Sequence, residues 1–181
     1  SDKSVRVWDA KSGDSVAVLT GHADTIEALA FDPAGTRLAS ASDDFTLRLW
    51  AVDGWKPTVL KGHGQWVLSA AFDPTGRFLA SGSRDRTVRV WDTTGPNPPL
   101  VLTGYTNWIH SVEFAPDGKT LVAGSGHYGL DSPGEVKFLD PVAGYVRAIL
   151  TDVRAPARFG SADRLLVGVA GGTAELVAGP K

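Results

Sequence analysis

The chain has 181 residues, 43% hydrophobic and 21% charged, with a formal net charge of −2, an ordinary globular balance that is ample for a sizeable core. It lacks the ~18-residue apolar run of a membrane-spanning helix, the basic start and apolar core of a signal peptide, and any net charge that would draw it to nucleic acid or an anionic membrane. The absence of Cys excludes disulfides, thiolate catalysis and cysteine metal sites.

Asp outnumbers Glu 16 to 4, and Gly and Pro together supply 32 residues. Asp, Gly and Pro are turn residues and Glu is the better helix former. The balance predicts many short strands joined by tight turns. The chain contains no Met, so Ser1 is not a translation start.

The first pattern, Val5-Arg-Val-Trp-Asp, returns as Leu47-Arg-Leu-Trp-Ala, Val88-Arg-Val-Trp-Asp and, weakly, Val136-Lys-Phe-Leu-Asp. Gly21-His22 returns as Gly62-His63 and then Gly104-Tyr105. Residues 25–31 alternate and end in an aromatic, which predicts a strand. Asp32-Pro33-Ala34-Gly35 has a type I turn composition, and it returns as Asp73-Pro-Thr-Gly and Ala115-Pro-Asp-Gly. Strands are predicted at 37–42, 45–51 and 57–61, with turns at Asp43-Asp44 and Asp53-Gly54. Trp8, Trp50, Trp91 and Leu139 are spaced 42, 41 and 48 residues apart, and Val177 follows 38 further on.

Each unit therefore reads as a four-stranded sheet. Such a sheet has two apolar faces and cannot bury both alone. Stacking copies face to face around an axis, as in a β-propeller, solves this. The period, the Gly-His, the Ser-x-Ser-x-Asp and the Trp-Asp together resemble the WD-repeat family, strongly in residues 1–105 and progressively less toward residue 181. The expectation is an all-β WD-repeat propeller of about four blades, open rather than closed. The units are a partial blade at 1–22, blades at 23–63, 64–105 and 106–152, and a degenerate partial blade at 153–181. A seven-bladed ring would need about 290 residues. Residues 15–20 could close a ring against 153–178, but residues 1–10 would then be surplus, so self-association through open ends is expected.

The resemblance implies a hydrogen-bonded set within a blade. The second unit offers His22, Ser40, Asp44 and Trp50, and the third offers His63, Ser81, Asp85 and Trp91, at identical spacing. Indole N–H only donates, so the Ser oxygen must accept from it. The hydroxyl then donates to one imidazole nitrogen, and the other ring N–H serves the carboxylate. A hydrolase triad has the same residue types, but two identical copies with the Ser oxygen occupied by Trp favour structure over catalysis. In the fourth unit Tyr105, Ala123 and Leu139 stand at the His, Ser and Trp positions, and all members are altered together, as expected where a half-network is worse than none.

Other signals are weaker. Gly124-Ser-Gly-His-Tyr-Gly129 matches a glycine fingerprint without the helix that dinucleotide binding needs. The four His show no metal spacing, so neither cofactor nor metal is expected. His110 reads as a partly exposed strand residue. Arg77, Arg84, Arg86 and Arg89, with Asp73, Asp85 and Asp92 interspersed, read as a solvated face of mixed charge.

The family geometry places the Gly-His loops and the Asp turns on one docking face. This implies partner contacts from Thr25, Asp43, Trp66, Arg84 and Trp108, together with His127, Tyr128 and Asp131 on the longer connection 126–134. The expected function is a non-enzymatic, cytoplasmic scaffold for a protein or peptide, without nucleic acid or membrane. The alternative is a regulatory or sensor region of a larger signalling enzyme, for example a bacterial one. A channel-sited enzyme would need converging His or acids, for which the inner strands supply little beyond Glu27.

Overall fold

A computed structural model describes residues 2–126, 134–161, 164–169 and 172–177. The described residues form sixteen strands and no helix, hence none able to cross a membrane. Strands β1 (Val5–Trp8) and β2 (Ser15–Leu19) make a two-stranded antiparallel sheet. The next sheet is β3 (Ile26–Phe31), β4 (Arg37–Ser42), β5 (Leu47–Ala51) and β6 (Pro57–Leu60), paired in chain order. The third repeats it with β7 (Val67–Phe72), β8 (Phe78–Ser83), β9 (Val88–Asp92) and β10 (Leu100–Leu102). The last sheet orders β11 (Trp108–Phe114), β12 (Leu121–Gly126), β13 (Gly134–Leu139), β14 (Val146–Ser161), β15 (Arg164–Val169) and β16 (Gly172–Val177).

The turns follow their composition. Gly35 and Gly76 donate N–H bonds of 2.9 Å to the carbonyls of Asp32 and Asp73, and Gly118 does so to Ala115 at 2.8 Å. All three glycines have φ near +70°, which only glycine adopts without strain. One expectation fails at Phe45. The pattern predicts a strand starting at 45, but Phe45 closes the preceding turn at φ +72°, its N–H bonded to the Ser42 carbonyl. Arg86 does the same one blade on, at φ +66°. The left-handed residue re-aims the chain so that pairing resumes at Leu47 and Val88.

Three of the four core clusters lie between sheets, and the fourth, Val122, Val136, Val153, Ala157 and Leu165, lies within the six-stranded sheet. Val5 and Leu19 of the first sheet bury against Leu38 and Trp50 of the second. Ala39, Ala41, Leu47 and Leu49 then meet Val67, Leu79 and Trp91, and Ala80, Val88 and Val90 meet Ile109, Val112, Phe114 and Leu121. Each of these three clusters joins one sheet to the next, as in stacked repeats. Arg37 adds a polar joint. It donates to Asp32 at 3.0 Å and reaches the next blade at Thr93 Oγ1 (2.7 Å) and the Gly76 carbonyl (2.6 Å), covering the Phe72 ring.

Together the sheets form an open arc of propeller blades. Among the described residues β2 pairs with β1 alone, not with the strands of residues 153–177. Trp8 is 56% exposed where Trp50 is 2%. Strand β14 runs through position 153 without a break. Its first half pairs with β13 and its second with β15, across a register shift between Arg154 and Ala157. Pro156, which has no N–H for a ladder, falls in that shift. The Ala157 N–H donates to Ser111 Oγ, so the second half crosses to the inner strand β11.

Candidate functional site

Antiparallel order fixes which loops share an edge. The chain enters β3 where β4 ends, as the pairing of Ile26 with Ser42 shows, and β5 begins at the same edge. The Gly-His loops and the Asp turns are therefore neighbours, and the polar sets close between them. Trp50 Nε1 donates to Ser40 Oγ at 2.9 Å, and His22 Nε2 meets the same oxygen at 2.7 Å. His22 Nδ1 lies 2.7 Å from Asp44 Oδ2. Since indole cannot accept, the Ser40 hydroxyl donates to Nε2, and the Nδ1–H donates to the carboxylate. The third blade repeats this: Trp91 to Ser81 at 2.9 Å, Ser81 to His63 at 2.8 Å, His63 to Asp85 at 2.8 Å.

The electrostatics suit a structural set. Burial disfavours a charged His22 and pulls its pKa down, against the pull of Asp44. Burial alone would raise Asp44, but donors from Thr46, Ala23 and His22 outweigh it and hold the carboxyl at about 2. Asp85 is likewise held below the usual carboxylate range by His63, Thr87 and Gly64. Each Asp thus pins its loop, its turn and its histidine at once.

Five of the expected partner residues meet on this edge. The Asp43 N–H donates to the Thr25 carbonyl and the Arg84 N–H to the Trp66 carbonyl, each at 2.9 Å. The sequence pattern reads Arg84 as part of a solvated face of mixed charge as well as a partner contact, and the solvated reading does not hold. The Arg84 guanidinium carbon lies 3.7 Å from the Trp66 ring centroid and 3.8 Å from that of Trp108. The stack bridges the third and fourth blades, and both indoles remain half-buried. Arg89 is not on a solvated face either: it packs on Trp91 and against Gly62. Arg77 does pair at the surface, with Asp92 at 2.8 Å. Beside the stack lies Asp43, 9% exposed, with an enclosed Oδ1 that has no partner. Burial, then Glu27 and Asp24, push its pKa up to about 6 against the opposing pull of Arg84. His127, Tyr128 and Asp131 lie outside the described residues. The connection that carries them leaves from Gly126 and returns at Gly134.

A family model described as "WD domain, G-beta repeat" matches residues 13–51, 54–92 and 96–129, more than half of the chain. The chain belongs to the WD-repeat family. Among curated relatives, nuclear distribution protein nudF 2 of Penicillium rubens is 49% identical over 49 residues, 27% of this chain and 10% of that protein. Nuclear distribution protein PAC1 of Tuber melanosporum is 51% identical over 49 residues, 27% of this chain and 11% of that one. The chain thus matches about a tenth of these relatives' length, little more than one WD repeat.

Some WD-repeat features were not anticipated. Ser42 and Ser83 each brace a turn, accepting from the N–H of Asp44 or Asp85 and donating to the carbonyl of Asp24 or Gln65. The recurrence of the second Ser in Ser-x-Ser-x-Asp was the available signal. A cation on the third strand also recurs. Arg48 donates to the Gly21 carbonyl and lies over Trp50, and Lys137 donates to Gly104 and lies 4.2 Å from the Tyr105 ring. In the fourth WD repeat, Lys137 thus keeps the tie to the glycine loop that Arg48 makes in the second. Tyr105 is buried, and burial pushes its hydroxyl pKa up.

The inner strands enclose a cavity of about 320 Å³ lined by Glu27, Ser69, His110, Ser111 and Glu113 among others. His110 donates to the Gly126 carbonyl at 2.9 Å and packs edge-on against Trp108. The channel is therefore more polar than Glu27 alone suggested. Among the described residues no three His, Cys, Asp or Glu side chains group so as to hold a metal. Gly124 and Gly126 lie within β12, in a strand rather than a phosphate-cradling loop.

Proposed function

We propose that this WD-repeat chain is a non-enzymatic docking scaffold that receives a protein or peptide on the edge carrying the Gly-His loops and Asp turns. One observation carries the reading: Trp66, Arg84 and Trp108 form a rigid, half-buried stack on that edge. Aromatic and Arg side chains on rigid supports are the usual anchors of an interface. Loops braced by buried hydrogen bonds lose little freedom on binding, which favours affinity. The similarity to nuclear distribution proteins spans about one repeat, so what it supports is the repeat's docking role.

The test is affinity capture with the full chain and with a Trp66→Ala/Trp108→Ala variant shown by circular dichroism to be folded. Proteins retained by the wild-type chain and lost by the variant are expected. An identical set on both baits would sink the proposal.

A further inference from the structure

We infer that Arg84, clamped between Trp66 and Trp108, is the anchor for an acidic side chain, Asp or Glu, of the protein or peptide that docks here. The inference rests on the docking reading and gives it a chemistry. The two indole faces occupy both faces of the guanidinium, 3.7 and 3.8 Å from their centroids. None of its five N–H donors makes a hydrogen bond or ion pair with the described residues, and Nε is enclosed without a partner. With Nε enclosed, the two terminal nitrogens form the edge of the fork that a ligand would meet. A planar fork fixed by stacking needs no further ordering to accept both oxygens of a carboxylate.

The surroundings decide between anions. Asp43 lies close enough for Arg84 to oppose its protonation, and Asp24 and Glu27 act on Asp43 from the same side. Repulsion from those carboxylates grows in proportion to the ligand's charge, and the single guanidinium charge balances one carboxylate but not a doubly charged phosphate. A basic ligand group is disfavoured at the fork by Arg84 itself, and it cannot reach Asp43 Oδ1, which is enclosed. A flanking basic residue is instead accommodated by the exposed Asp24 and Glu27. The fitting segment carries one carboxylate for Arg84 and a neighbouring cation for the second blade.

The experiment selects a displayed random peptide library on the immobilised full chain and measures the selected peptides in solution by fluorescence anisotropy. The expected consensus contains Asp or Glu. Arg84→Gln weakens binding by roughly 10- to 100-fold, the range of a charge-assisted pair, and Arg84→Lys restores only a small part. Replacing the peptide's Glu by Gln costs a similar factor on the wild-type chain and little on Arg84→Gln. Should Arg84→Gln fail to fold, the peptide-side change on the wild-type chain alone decides. Peptides that need Trp66 and Trp108 but ignore both Arg84→Gln and their own Glu→Gln would overturn the inference and leave the docking edge standing. A phosphoserine peptide binding more tightly than its Glu counterpart would also overturn it. Selection of no peptide sensitive to either Trp would overturn the docking reading itself.

Discussion

Replacing Ser81 by Ala removes one oxygen and leaves two buried groups without partners. The Trp91 indole N–H loses its acceptor at 2.9 Å and His63 Nε2 loses its donor at 2.8 Å. Ser81 is wholly buried, and Trp91 and His63 are 6% and 7% exposed, so water cannot readily replace the hydroxyl. Each stranded group costs about 1–3 kcal/mol. Because the two share one oxygen, the sum is not fully additive, and the expected loss is about 2–4 kcal/mol. At 2–4 °C per kcal/mol for a chain of this length, the melting midpoint falls by about 4–16 °C. Urea denaturation followed by tryptophan fluorescence gives the free energy, with an unchanged slope as the check on two-state behaviour. The pairwise part comes from a cycle with Trp91→Phe, which should cost about 1 kcal/mol less in the Ser81→Ala background than in the wild-type chain. A Ser81→Ala variant within ~0.5 kcal/mol of wild type, or equal Trp91→Phe costs in both backgrounds, would refute the closed-set account.

Other perturbations follow from the same geometry. His22→Ala and His63→Ala should each cost about 1–3 kcal/mol, and unchanged melting midpoints in both would rule out their structural role. Asp43, at about 6 in the folded chain against an ordinary 3.8, keeps a proton that the unfolded chain has released. Its contribution therefore falls as pH rises from about 4 to 6. Asp43→Asn should then be more stable than wild type at pH 7 by about 1–3 kcal/mol, with the gain vanishing near pH 4; a pH-independent difference in urea midpoints would contradict this. Arg37→Met removes the joint to Gly76 and Thr93 while keeping apolar cover for Phe72, and should cost about 1–3 kcal/mol in the same assay. Arg86→Gly relieves a left-handed residue in an exposed turn and should raise stability by about 0.5–1 kcal/mol; a lower melting midpoint would show that the turn depends on the Arg86 side chain.

The parts of the fold set by local chemistry were legible in the sequence. The 41- and 42-residue spacing of Trp8, Trp50 and Trp91 marked equivalent strands, and the donor–acceptor inventory of His, Ser, Asp and Trp dictated how the polar sets close. What escaped was set by neighbours across a blade boundary. Arg84 looked like one of four scattered arginines because the two indoles that clamp it lie 18 residues before and 24 after it. Phe45 looked like a strand residue because an aromatic favours strands, yet the turn required a left-handed residue there. The edge position of Trp66 and Trp108 was implied by the resemblance to the WD-repeat family, whereas their mutual approach through Arg84 was not.

The single strand β14 has a mechanical consequence. Elsewhere a glycine loop separates one blade from the next, and the backbone hydrogen-bond ladder is interrupted there. Between the last two groups of strands the covalent chain stays in one hydrogen-bonded ribbon, so β13 through β16 share a single continuous ladder. Extension should therefore release β13 through β16 as one cooperative step, while the earlier joints yield one at a time.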